Sequence, residues 1–178
     1  NPALELYLTY ELLDEFMLDE DGNEDENKPR WISETIPFHS LESDLAKSTK
    51  RYYALDPEEE YEGDWTQMAG TPCMVTIVQN PDKKGKKDDE GNLVVYNNIT
   101  SVSGMRDKDA KKANELVNPP KVFDFDEPDM KVFKSLPKWL QDKMKEALNF
   151  GGSSLEDAIE NLGDEDEEEE MMRLIGND

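Results

Sequence analysis

The chain has 178 residues, 35% of them hydrophobic and 35% charged, with a formal net charge of -23 and one cysteine. That length supports one sizeable core plus an appendage, and the lone Cys73 excludes both an internal disulfide and a thiolate zinc site, which favours a reducing compartment. No apolar run approaches the ~20 residues of a membrane-spanning helix and no basic-then-apolar leader opens the chain, so no membrane partner is expected.

The negative charge is unevenly spread. Residues 1–27 hold 10 acids and no base, residues 151–178 hold 11 acids and one base, and the stretches between are close to balanced. A near-neutral body with acidic ends can still carry a basic groove, because binding follows the local patch rather than the total.

In chain order, Ala3 to Leu12 alternates Leu4, Leu6, Leu8, Tyr10 and Leu12 against Glu5, Tyr7, Thr9 and Glu11, the period of a half-buried strand. A polar connection, DEDGNEDEN, leads to a second strand, Arg30 to Phe38, with Ile32, Ile36 and Phe38 on one side and Trp31, Ser33 and Thr35 on the other. Ser40 is placed to cap a helix carrying Glu42 and Asp44 in its first turn and Lys47, Lys50 and Arg51 in its last. Leu41, Leu45, Ser48 and Tyr52 form its inner stripe. An acidic loop, Asp56 to Asp64, and one helical turn, Trp65 to Gly70, precede two Val/Ile/Thr-rich strands, Cys73 to Gln79 and Leu93 to Val102. Between them, Lys83, Lys84, Lys86 and Lys87 are the densest positive charge in the chain.

This order suggests an OB-like five-stranded Greek-key barrel that has lost or does not show its first strand, a fold that binds single strands across one face. The expected divisions are a core at 1–106, a linker and helical appendage at 107–162, and a disordered acidic tail at 163–178. In the appendage, Ser135 is read as the cap of a helix with Leu136, Leu140, Met144 and Ala147 along one stripe, Trp139 widening it as core or interface. Seven consecutive acids, DEDEEEE, are not expected to fold on their own.

The candidate chemistry is a ring beside a cation, which stacks a base while neutralising its phosphate. Lys28, Arg30 and Trp31 form one such cluster, and Lys47, Lys50, Arg51 and Tyr53 a second, with Tyr52 assigned to the core. Lys83, Lys84, Lys86, Lys87 and Arg106 complete the predicted nucleic-acid-binding set. Asp19, Asp21 and Asp25 mimic calcium-ligand spacing, but Gly22 falls too early for an EF-hand; Asp124, Asp126, Glu127 and Asp129 read as a solvated turn. His39 has no nucleophile motif beside it, so no catalytic residue, metal or cofactor is expected.

Three stretches carry a family resemblance: Lys28 to His39, the TPCMVTIV strand with its YNNITSVSGMR partner, and PPKVFDFDEPDMKVFKSLPKWLQDKMKEALNF. They resemble the single-stranded DNA-binding proteins that tailed bacteriophages encode beside their replication and recombination genes, over roughly Leu4 to Phe150. The resemblance implies a non-enzymatic OB-like binder of single-stranded DNA in the cytoplasm of an infected bacterium. It also implies an acidic C-terminus that docks polymerase, helicase or primase and competes with DNA, and leaves room for a homo-oligomer. Two departures stand out: the family supplies a further strand before the position of Asn1, and the aromatic that commonly ends such tails is replaced by Leu174 and Ile175. The competing readings are an acidic adaptor or DNA mimic that occupies a partner's basic groove, and a virion structural component.

Overall fold

The computed structural model describes residues 4–175, the side chains of 164–169 excepted. Ala3, the last three residues of the expected tail and most side chains of its acidic run thus lie outside the described residues. The chain divides into two compact units, one running to Pro120 and one from Lys121.

The first unit holds two antiparallel hairpins. β1 (Glu5–Leu18) pairs with β2 (Glu24–Pro37), and β3 (Cys73–Pro81) with β4 (Val95–Gly104). Each of the four expected strands overlaps an observed one, but β1 runs on to Leu18 and β2 starts at Glu24, inside the stretch read as a loop, and the four form two separate two-stranded sheets. Neither a closed barrel nor a five-stranded Greek key occurs among the described residues, which corrects the OB-like expectation. The physical reason lies in α1 (Lys47–Leu55), which contacts both β2 and β4 and buries Ser48, Thr49, Arg51 and Tyr52 against them. The helix packs against one strand of each hairpin, and Ile77, Val78, Val95 and Tyr96 stay exposed on the second hairpin.

One turn recurs three times. At Asp19, Asp82 and Asp88 the carboxylate accepts the backbone N–H groups two and four residues on, and Gly22, Gly85 and Gly91 take the left-handed conformation that closes the loop. The spacing that mimicked calcium ligands is therefore turn chemistry, and no acidic, His or Cys cluster suited to a metal occurs among the described residues.

α1 begins at Lys47, seven residues after the expected cap, with Ala46 at its N-cap and no side-chain cap. Ser40 instead accepts the Glu42 amide, and its carbonyl accepts the Thr49 hydroxyl, while Ser48 accepts the His39 amide. These bonds fasten the start of the helix to the end of β2. A 3-10 turn (Trp65–Met68) follows, capped by Asp64, and then, after β4, a short α2 (Asp107–Ala110).

In the second unit, α3 (Met130–Ser135) is capped by Asp129, whose carboxylate accepts the Lys131 and Val132 amides. Ser135 ends that helix and donates to the Val132 carbonyl, so it does not cap α4 (Lys138–Lys145), which starts after Pro137. Phe123 meets Phe125 edge to face and Phe133 at a tilt, and Leu140 and Leu155 are buried. Trp139, expected in the core or an interface, is 55% exposed.

The acidic tail is helical rather than disordered: α5 runs from Ser154 to Ile175. Ser153 accepts the Glu156 amide and Glu156 accepts the Gly152 amide, a reciprocal cap that supplies the costly first turn. Glutamate then propagates a helix well once it is nucleated. No helix among the described residues is long and apolar enough to cross a membrane.

Candidate nucleic-acid interface

The register of β1 on β2 runs unbroken from Glu5–Pro37 to Glu11–Trp31. Side chains alternate along each strand, so Leu6, Leu8, Tyr10, Ile32, Glu34 and Ile36 share one face while Tyr7, Thr9, Glu11, Trp31, Ser33 and Thr35 share the other.

The first face is packed. Ile36 is buried, and Arg51 reaches down from α1 to fork its Nε and Nη2 onto the two Glu34 oxygens at 2.7 and 3.3 Å. Tyr10 donates its hydroxyl to Glu34 at 3.1 Å. Burial, reinforced by the Glu34 carboxylate, pushes the Tyr10 phenol well above its ordinary value. For Arg51 burial opposes the charge, but the Glu34 carboxylate outweighs it and holds the guanidinium above its usual value. The Arg51 side chain is 4% exposed, so the predicted phosphate contact at this position is corrected: its fork is spent inside the protein.

The second face is open. Trp31 is 53% exposed, and Thr9 and Ser33 share a hydroxyl hydrogen bond at 2.9 Å. Beyond Trp31 the ribbon bulges, with Leu12–Glu15 of β1 set against Arg30 alone. Arg30 donates from Nε to the Phe16 carbonyl at 2.9 Å, and Lys28 lies 3.4 Å from Asp25 with its side chain largely in solvent. These two cations therefore sit at the bulged end of the ribbon, one and three residues from Trp31. A shallow cleft of about 240 Å³ lies under the bulge, lined by Glu11, Leu13, Phe16 and Glu26 among others; its acidic walls do not suit a phosphate.

The second predicted cluster does not join Trp31. Because Arg51 seats α1 on the packed face, the exposed Lys47 and Lys50 project from the helix side opposite Ser48 and Tyr52, away from the sheet. Tyr53 meets Tyr52 edge-on and donates to Glu59 at 2.8 Å, a bond that raises its phenol above the ordinary value. Its ring belongs to the packing around the acidic loop, which removes the expected stacking partner.

Lys83, Lys84, Lys86 and Lys87 are all exposed at the tip of the second hairpin, and none is bridged to a carboxylate among the described residues. The Lys86 and Lys84 amides hold the Asp82 carboxyl below the usual range, so one negative charge stays fixed beside them. Arg106 is paired with Asp109 at 3.1 Å.

Sequence reasoning missed the role of residues 114–118. Glu11 on the open face accepts the Val117 amide at 2.7 Å and the Asn118 amide and side chain at 3.2 and 2.8 Å, and Asn114 donates to the Leu13 carbonyl at 2.9 Å. The segment read as a linker is thus folded onto β1, beside Trp31. Compared with known protein families, characterised proteins and solved structures, the chain matches none.

Proposed function

We propose that this protein binds single-stranded DNA without sequence preference and without catalysis, laying the bases on the open face of the β1–β2 ribbon. The carrying observation is Trp31, a ring 53% exposed on the solvent-facing side of a sheet whose other side is packed, with Lys28 and Arg30 close along the same strand. Stacking on such a ring tolerates any base, and the neighbouring cations take phosphates. The four lysines of the second hairpin supply further cations. The resemblance to phage single-strand binders supports the same reading and puts its action in phage replication or recombination, in the cytoplasm of the infected bacterium. The acidic C-terminal helix takes the remaining roles, docking a polymerase, helicase or primase and competing with DNA for cations through its high effective concentration.

The test is a fluorescence titration with oligothymidylate. Binding quenches tryptophan emission and weakens with salt, and Trp31→Ala loses about 1–3 kcal/mol of affinity, roughly 5- to 150-fold in Kd. A silent Trp31→Ala would remove the face from the argument.

A second reading, an acidic adaptor or DNA mimic, is favoured by one observation: the acidic run lies within a 22-residue helix. It predicts no quenching by oligothymidylate and capture of a basic partner instead.

A further inference from the structure

We propose that residues 111–118 form a strap, latched to β1 by Glu11, that brings Lys111 and Lys112 to the rim of the Trp31 face as a second row of phosphate contacts; this rests on the reading of that face as a single-strand site. The juxtaposition follows from register. Glu11 is the cross-strand partner of Trp31, and its carboxylate points to the same side of the ribbon. Three donors from Val117 and Asn118 converge on that carboxylate, so the strap lies on the open side. The second fastening uses the bulge: Leu13 is among the β1 residues with no partner in β2, and its carbonyl accepts the Asn114 amide.

Lys111 and Lys112 lie three and two residues before that fastening, within about 11 Å of Asn114 along even a fully extended chain. Both are exposed, and neither is bridged to a carboxylate among the described residues. Arg106, the cation that the sequence singled out nearby, is instead paired with Asp109. The latch also explains an acid on a face read as anionophilic. Its oxygens are taken by three amide donors, so the carboxylate has a structural use on this face while it keeps its charge.

Electrostatics alone and the strap make opposite predictions. Removing an acid from beside a DNA-binding ring should tighten binding; releasing the strap should weaken it. The experiment titrates the wild type, Glu11→Ala and the double variant Lys111→Ala/Lys112→Ala with oligothymidylate at several salt concentrations, and follows amide hydrogen exchange at Val117 and Asn118 in the free proteins. The expected results are binding about three- to tenfold weaker for Glu11→Ala, with faster exchange at both amides. The double variant keeps wild-type exchange but loses about 0.7 of salt slope for each lysine removed. Glu11→Ala binding as tightly as the wild type or tighter, or unchanged exchange, overturns the latch. An unchanged salt slope in the double variant overturns the phosphate row. Absence of any binding by the wild type overturns the functional reading and this inference with it, an outcome distinct from the other two.

Discussion

The two faces of the β1–β2 ribbon are made from alternate residues of the same 14-residue strands, yet they are put to opposite uses. On one, Tyr10, Glu34 and Arg51 close a part-buried, mutually satisfied polar network beneath α1. On the other, Thr9, Ser33 and Trp31 face solvent, and the covering there is the strap held by Glu11. The comparison separates two cations that look equivalent in sequence. Lys50 and Arg51 are neighbours at the middle of one helix, and one residue of helical rotation sends the first to solvent and the second into the sheet.

The largest effect is expected from breaking the packed face. Arg51→Ala leaves Glu34 buried beside Tyr10 without its counter-ion, a defect worth about 3–5 kcal/mol. Urea unfolding should show the midpoint fall accordingly, while Lys50→Ala on the same helix stays within about 0.5 kcal/mol. Equal effects at the two positions would mean that α1 is not seated on Glu34 and that the two faces are not distinct.

The faces themselves were legible in the sequence, because period-two alternation assigns Trp31, Ser33 and Thr35 to one side and Ile32 and Ile36 to the other without reference to any partner. What alternation cannot give is which strands pair with which. Each of the four strands reads equally well as part of a barrel, and that they pair as two hairpins, with α1 against one strand of each, is a matter of contacts distant in the chain. Arg51 was misread for a related reason: basic residues in a last helical turn satisfy the helix dipole in solvent, and its carboxylate partner lies 17 residues away in the chain. The strap was invisible for the same reason at greater range, since Asn118 and Glu11 are 107 residues apart.

A second, smaller break on the packed side tests how the helix is fastened beyond the sheet. Tyr52 donates to Asp56 at 2.7 Å and its oxygen accepts the Gly63 amide at 2.7 Å, while Asp56 accepts the Glu60 and Tyr61 amides. Burial disfavours the Asp56 charge, but the Tyr52 hydroxyl and these amides outweigh it and hold the carboxyl below its usual value. The network holds a loop in which Glu59 and Glu62 are left-handed, a conformation that costs a non-glycine residue about 1–2 kcal/mol. A carboxyl lowered in the folded state contributes stability that is complete above its unfolded value, about 3.9, and lost as pH falls through the folded value. Tyr52→Phe should therefore cost about 1–3 kcal/mol near neutral pH, by stranding the Gly63 amide and removing a donor from Asp56. The gap between variant and wild type should narrow below about pH 4, as Asp56 protonates in both. A gap constant from pH 7 to pH 3, measured by thermal unfolding, would assign the loss to packing of the ring rather than to the hydroxyl.

The smallest expected effect is the most direct check on the geometry of binding. Lys47 and Lys50 were grouped with Trp31 because 26 residues of sequence hold both clusters, but α1 lies on the packed face and presents these lysines on its far side. If bases lie on the open face, Lys47→Ala/Lys50→Ala changes oligothymidylate affinity by less than about twofold at physiological salt. Charges more than about 8 Å from the bound strand are largely screened there. A loss as large as that of Trp31→Ala would mean that the strand wraps the edge of the ribbon to reach the helix, and the two faces would then have to be read as one continuous path.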